Sequence, residues 1–338
     1  MAEETQKPVL EINDLRLVFP VYGGEISALN NVSLQVNAGE IVGVVGESGS
    51  GKSVTAMMSM RLLPQDSFAI KAGELRLLGT DVINASDKQM RQLRGARVAM
   101  IFQEPMNALN PTRKIGRQMC EVIRLHQHLT RQQAYQKAIG LLQEMQIGDA
   151  DQVMGRYPFE LSGGMRQRVL IAMAFSCEPE LIIADEPTTA LDVTVQRQVL
   201  RLLRRKAKSS GTAVLFITHD MAVVSQLCDR VYVMYAGHVI ESGKTAEVIG
   251  QPAHPYSIGL LQAAPENGEP RSLLKAIPGT VPNLAKLPAG CAFRGRCAQG
   301  DEQCAQSPKL MPLEGHAQQL VSCWHPQRIP TLTMQEQA

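Results

Sequence analysis

The chain has 338 residues, enough for about two domains at roughly 100–200 residues each. It is 44% hydrophobic and 20% charged, which excludes a disordered chain and allows a sizeable core. Its 34 Lys and Arg against 32 Asp and Glu leave a net charge of +2, a balance that argues against a dedicated nucleic-acid binder with a broadly basic surface.

The N-terminal segment, MAEETQKPVLEIND, has no basic stretch leading into an apolar run, so no secretory signal is expected. Val9–Ile12 and Leu15–Phe19 read as short strands, and Asn31–Val36 alternates in the same way before an Ala38-Gly39 turn. Glu40–Val45 is nearly continuous apolar sequence, the pattern of a central strand covered on both faces. A glycine-rich turn and a Met-rich helix over Ser53–Leu63 come next, with Pro64 expected to stop the helix. Residues from about Met106 to Phe175 read as mostly helical. Ile115, Met119, Val122 and Ile123 recur at helical spacing, and Thr130 with Gln133 forms a capping-box pattern. Strands return at Leu181–Ala184 and Ala213–Thr218, with a helix over Val195–Arg205 between them that should stop near Gly211. The order predicts a parallel sheet with crossover helices and a helical insertion. Past about Gln251, frequent Pro and Gly predict a loop-rich extension. No apolar stretch approaches the roughly 20 residues that span a bilayer, since Ile41–Gly46 and Thr212–Thr218 are strand-sized, so the expected setting is the cytosol.

Gly46-Glu47-Ser48-Gly49-Ser50-Gly51-Lys52-Ser53 fits G-x-x-x-x-G-K-[ST] and sits between a buried strand and a helix, the context a phosphate loop requires. Its glycines let backbone N–H groups converge on anionic oxygens, and the following helix adds its positive end. Lys52 is expected on the β- and γ-phosphates of a nucleotide and the Ser53 hydroxyl on Mg²⁺. Leu181–Ala184 delivers Asp185 and Glu186 to the carboxyl edge of the sheet. Asp185 is the expected Mg²⁺ ligand, directly or through water, and Glu186 the general base that polarises the attacking water.

Leu161-Ser162-Gly163-Gly164-Met165 closely resembles the LSGGQ signature of ATP-binding cassette (ABC) ATPases, with Met in the last place. Gln103 in Ile101-Phe102-Gln103-Glu104-Pro105 resembles that family's Q-loop, Ala190-Leu191-Asp192 its D-loop, and His219 in Thr218-His219-Asp220 its switch histidine. The resemblance covers about residues 9–250. It implies a P-loop ABC-ATPase fold: a RecA-like parallel core, an N-terminal antiparallel β region and a helical signature subdomain at about 106–176. It also implies that Gln103 contacts Mg²⁺ and links the nucleotide to a membrane subunit, and that His219 positions water at the γ-phosphate. Ser162, Gly163 and Gly164 would then bind ATP held by a second cassette, so the chain must pair with itself or a paralogue. A helix start with a serine cap and two glycines suits such phosphate binding. Tyr22, or alternatively Phe19, is expected to stack on adenine.

The tail narrows the resemblance. His254-Pro255-Tyr256-Ser257, Ile277-Pro278-Gly279 and Pro288-Ala289-Gly290-Cys291 resemble the C-terminal extension of oligopeptide/dipeptide importer ATPases, which nickel importers share. The expected division is a cassette over residues 1–250 and an extension over 251–338. Cys291, Cys297, Cys304 and Cys323 are separated by five, six and eighteen intervening residues. Four thiolates can hold zinc or an iron–sulfur cluster, and free thiols are the third reading. The resemblance implies a [4Fe–4S] cluster, with Arg294 and Arg296 placed to donate to it. It further implies two permease subunits, an extracytoplasmic solute-binding protein, no nucleic acid, and a peripheral position on the cytoplasmic face of the inner membrane. A non-transport ABC ATPase is the rival reading. Against it, no heptad run separates the phosphate loop from the signature and one chain carries one cassette. Lys52, Asp185, Glu186 and His219 are all in place, which argues against a catalytically dead scaffold.

Overall fold

The computed structural model describes residues 7–103, 108–189, 191–263 and 276–327. Among the described residues the strands are β1 (Pro8–Val21), β2 (Gly24–Asn37), β3 (Ile41–Val45), β4 (Ala69–Leu77), β5 (Thr80–Asp81), β6 (Val98–Ile101), β7 (Leu181–Asp185), β8 (Ala213–Thr218), β9 (Arg230–Tyr235), β10 (His238–Lys244), β11 (Met311–Leu313) and β12 (His316–Val321). The α-helices are α1 (Lys52–Ser59), α2 (Asp87–Leu93), α3 (Ile115–Gln127), α4 (Arg131–Glu144), α5 (Ala150–Gly155), α6 (Gly163–Phe175), α7 (Val193–Ser210), α8 (Met221–Leu227), α9 (Thr245–Gly250) and α10 (Pro255–Gln262). No helix among the described residues is long and apolar enough to cross a membrane.

These elements form two compact units, each discontinuous in sequence. One gathers the described residues of Leu10–Gln35, Ile41–Ile83 and Ile217–Ala338. It holds an antiparallel sheet in the order β2-β1-β4-β5 and a run of strands in the order β11-β12-β10-β9-β3. Strand β3 pairs with β9 in parallel, Val42 opposite Arg230 through Val45 opposite Val233. All five β3 residues are buried, as expected where both faces are covered. The other unit gathers the described residues of Met1–Val9, Val36–Glu40 and Asn84–Phe216. Its strands run β8-β7-β6, with β6 and β7 parallel from Val98–Leu181 to Ile101–Ala184. It also carries α2 to α7. Capping boxes start two of these helices, Ser86 with Gln89 for α2 and Thr130 with Gln133 for α4, so the pattern read from sequence at Thr130 is observed.

Several boundaries differ from the sequence expectations. The two short N-terminal strands are one strand, β1, whose register against β4 shifts between Asn13 and Arg16, where Asp14 takes φ 47°. The break in alternation at that bulge is what reads as a strand end. Helix α1 stops at Ser59, well before Pro64. Leu62 N–H donates to Met57 O (2.8 Å), Arg61 N–H to Met58 O (2.9 Å), and Arg61 sits at φ 49°. This is a Schellman cap built on arginine in place of the usual glycine, so the sequence carries no stop signal there. Helix α7 begins two residues before Val195 and runs on past Arg205 to the expected stop at Gly211. Asp192 caps it by accepting from Val195 N–H (3.0 Å), and Gly211 closes it at φ 66°. The extension is not merely loop. It contains α10 and the β11–β12 hairpin, and β12 pairs antiparallel with β10, Glu241 opposite Val321.

Candidate nucleotide site and cysteine cavity

The phosphate loop leaves β3 and enters α1 in the first unit. Its shape needs glycine at two positions in particular. A Cβ on Gly46 would lie 2.1 Å from Met234 O, and Gly51 has φ 101° with Ala28 O 2.8 Å from where its Cβ would be. Ser48 and Gly49 form the exposed crest, while Ser50 is buried and donates its N–H to Glu47 O (3.2 Å). Lys52 is 4% exposed, and its Nζ donates to Gly46 O (2.8 Å), Glu47 O (2.9 Å) and Ser50 Oγ (3.4 Å). The ammonium is thus held by two carbonyls and a hydroxyl of its own loop. Ser53 opens the first turn of α1, half-buried. In the same unit His219 is exposed just past β8. Its neighbour Asp220 caps α8 by accepting from Ala222 N–H (2.8 Å). Tyr22 is fully exposed in the turn between β1 and β2, whereas Phe19 is half-buried in β1. An aromatic ring in full contact with water at a Gly-containing turn is the better of the two platforms for a base.

The second unit carries the acids and the signature. Asp185 ends β7 at 4% exposure. Glu186 follows at φ 44°, a left-handed backbone that a glutamate adopts only at a cost of order 1–3 kcal/mol. Thr189 Oγ1 donates to Glu186 O (2.7 Å), tying down that turn. Gln103 Nε2 donates to Glu186 Oε2 (3.1 Å), which brings the Q-loop glutamine and the expected base into contact. The next residues of the Q-loop motif, Glu104 and Pro105, and Ala190 of the D-loop motif, lie outside the described residues. Ser162 caps α6 by accepting from Met165 N–H (3.3 Å), and both Ser162 and Gly163 are exposed. A Cβ on Gly164 would lie 2.6 Å from Val195 Cγ1 of α7, so glycine here sets how closely the two helices approach.

The extension belongs to the first unit and is tied down by buried polar groups. Glu241, fully buried on β10, accepts from Ala253 N–H (2.8 Å), His254 N–H (3.0 Å) and Gln319 Nε2 (2.8 Å). Burial pushes its carboxyl up, against the pull of those donors. His254 Nδ1 accepts from Tyr256 N–H (3.0 Å) and so caps α10. Complete burial lowers this imidazole to about 3, which keeps it neutral and able to accept. Cys291, Cys297, Cys304 and Cys323 line one small, partly open cavity, together with Phe293 and Trp324. None of them is in a disulfide. Gly290, at φ 84°, lets the two cysteine segments abut. Its Cβ would lie 2.3 Å from Cys304 O, and Cys291 N–H donates to that same carbonyl (2.9 Å). Burial raises the Cys291 and Cys297 thiols and pushes Cys323 up to about 11. Thiols in such a pocket need a cation to hold them as thiolates.

Asp301 and His325 are two site residues that the sequence reading does not single out. With Cys304 they place one ligand atom each within 4.8 Å of one another. Asp301 Oδ2 stands 2.9 Å from His325 Nε2, which holds the carboxyl below its usual range. Arg296 departs from expectation. It does not donate into the cavity; all its donors point to other groups, described below. Arg294 does line the cavity.

Residues 29–189 match the ABC transporter family, and residues 240–304 match the family described as oligopeptide/dipeptide transporter, C-terminal region. The chain is 69% identical to the probable D,D-dipeptide transport ATP-binding protein DdpD of Escherichia coli (strain K12), over 95% of this chain and 98% of that protein. It is 44% identical to the oligopeptide transport ATP-binding protein OppD of Salmonella typhimurium, over 96% of each. Among solved structures, it superposes on the dimeric, ADP- and Pi-bound, post-hydrolysis state of the ATP-binding cassette MJ0796 with a TM-score of 0.62 and 25% identity, covering 70% of this chain and 98% of that one. The chain therefore belongs to the ABC transporter ATPases, in the branch that carries the oligopeptide/dipeptide C-terminal region.

Proposed function

We propose that this ATPase is the energy-coupling subunit of an importer that takes up di- or oligopeptides across the cytoplasmic membrane. The observation that carries the reading is the conjunction, in one chain, of a full set of cassette motifs with the oligopeptide/dipeptide extension. The names of the two relatives above, both peptide-transport proteins, support it. Residues 1–250 would form the cassette, with the helical subdomain at about 106–176, and 251–338 the extension. Lys52 and the loop amides of Gly46–Ser53 hold the β- and γ-phosphates, and Tyr22 carries the adenine. Ser53, Asp185 and Gln103 would be the residues to hold Mg²⁺, which when bound would supply charge neutralisation on the phosphates. Glu186 takes the proton of the attacking water, and His219 aligns that water with the γ-phosphate. Ser162, Gly163 and Gly164 present an open helix start to the nucleotide of a second cassette, which is why the working unit is a pair. That pair would act on two permease subunits at the cytoplasmic face of the inner membrane, fed by an extracytoplasmic solute-binding protein. Nucleic acid has no part in this cycle.

For the cavity we favour a [4Fe–4S] cluster on Cys291, Cys297, Cys304 and Cys323. Four thiols facing one space are the donor set such a cluster uses. Such a centre would staple a Pro/Gly-rich segment that buries little surface of its own. The grouping of Asp301, Cys304 and His325 favours a second reading, zinc in a mixed O/S/N site.

Reconstitution with its permeases in vesicles tests the transport reading. ATP hydrolysis should rise when a peptide-loaded binding protein is added, with peptide uptake. Stimulation by nickel and not by peptide would move the system to the nickel branch. Protein purified without oxygen should be brown and contain iron and sulfide. Zinc at one equivalent, with no visible absorbance, would decide for the second reading.

A further inference from the structure

The phosphate loop contains an acid, Glu47, at a place built to receive a polyanion. The structure answers it from 249 residues away in sequence. Arg296 grips the Glu47 carboxylate through both ends of its guanidinium, Nη1 to Oε2 at 2.7 Å and Nη2 to Oε1 at 3.1 Å. The other donors are spoken for as well. Nε donates to Pro278 O (2.8 Å), Nη1 also to Tyr235 Oη (3.3 Å), and Nη2 also to Ile277 O (3.4 Å). All five N–H groups of the fork therefore have acceptors, which fixes its plane and direction. Its side chain is only 7% exposed and lies 5.7 Å from the Tyr235 ring centroid and 5.8 Å from that of Phe293. The backbone of Glu47 is held separately, its N–H donating to Tyr256 Oη (2.8 Å). The motifs Ile277-Pro278-Gly279 and His254-Pro255-Tyr256 thus acquire a use. Pro278 and Ile277 cradle the guanidinium, Gly279 leaves 3.3 Å between its would-be Cβ and Arg296 Cγ, and His254 caps the helix that presents Tyr256.

We infer that Arg296 is a positioning residue of the ATP site: it neutralises Glu47 and, with Tyr256, braces the phosphate loop in the shape that accepts the triphosphate. The inference rests on reading Gly46–Ser53 as the ATP phosphate loop. The physical argument is one of charge and geometry. A largely desolvated bidentate pair is a strong, directional contact. Removing its cationic half leaves a carboxylate uncompensated beside bound phosphates, where like charges repel. The cost falls on ATP binding, because Arg296 contacts the loop and not the reacting atoms.

The test uses the full chain with its extension intact, and reads ATP affinity and steady-state hydrolysis. Arg296→Met should raise the ATP Kd roughly tenfold at low salt while kcat at saturating ATP stays within about twofold. Adding Glu47→Gln to Arg296→Met should restore affinity to within about threefold of the unaltered chain, because the uncompensated charge is then gone. A merely structural role predicts no such rescue. Arg296→Met that binds ATP like the unaltered chain, or a double variant no better than the single one, overturns the inference. Should Arg296→Met fail to fold, Arg296→Lys carries the same test, with an expected rise of about threefold because the charge stays but the fork is lost. An unaltered chain that does not bind ATP overturns the phosphate-loop reading itself, an outcome distinct from either of these.

Discussion

The phosphate loop and the cysteine extension solve opposite problems. The loop is eight consecutive residues whose function is written in its backbone, with glycines at Gly46 and Gly51 where a Cβ would meet Met234 O and Ala28 O. The extension has little local regularity. It is assembled from separated pieces by buried polar anchors such as Glu241, by the β10–β12 pairing, and by four thiols around one cavity. A site made of contiguous backbone is set by local sequence, whereas a site made of distant side chains is set by tertiary contact.

The largest effect that would break this comparison is at Lys52. Lys52→Ala removes the only side-chain cation of the loop motif, and ATP hydrolysis should fall by about 10²–10³-fold, as when a preorganised charge partner is lost. Unchanged steady-state hydrolysis would show that the loop is not the phosphate site. Next is Gly290→Ala. A methyl group forced to within 2.3 Å of Cys304 O at φ 84° should destabilise the extension by about 2–4 kcal/mol, seen as a lower denaturation midpoint. Unchanged stability would mean that the cysteine segments do not need their close approach.

A pH experiment sharpens the same contrast. Buried His254 has its folded pKa lowered to about 3 from an ordinary 6.5, so between those values the unfolded chain binds the extra proton. Its contribution to stability is therefore complete above pH 6.5 and is lost as pH falls toward 3, at up to about 1.4 kcal/mol per pH unit. His254→Asn keeps a helix-capping side chain but removes the titration. The difference in denaturation midpoint between the two proteins should narrow on acidification through that window. A difference that stays constant would contradict burial of a neutral imidazole. The smallest effect belongs to the other unit. Thr130→Ala should cost about 1 kcal/mol through loss of the α4 capping box and leave ATP affinity untouched.

How far each region could be read in advance follows from the same physics. The loop, the strand-end acids Asp185 and Glu186, and the Thr130–Gln133 cap are local patterns, and each is where the sequence places it. The contact between Gln103 and Glu186 spans 83 residues; the sequence suggests each partner and only the fold gives their hydrogen bond. The end of α1 is invisible in sequence because an arginine, not a glycine, adopts the left-handed cap. In the extension, Pro and Gly mark turns correctly but hide α10 and the β11–β12 hairpin, which are held by burial of Tyr256, Leu313 and Val321 rather than by propensity. Arg296 sits beside Cys297 and so reads as a cluster ligand's neighbour. Its true partner, Glu47, is at the other end of the chain, and no spacing rule reaches that far.

The central claim is that this chain hydrolyses ATP with Glu186 as the base, at a site completed by a second cassette. The most direct measurement is ATP binding and turnover by Glu186→Gln in the assembled importer. The account predicts retained ATP binding, a closed pair that persists in ATP, and hydrolysis lowered by about 10²–10⁴-fold, the range expected for removal of a general base. Turnover at the normal rate in that variant would contradict it.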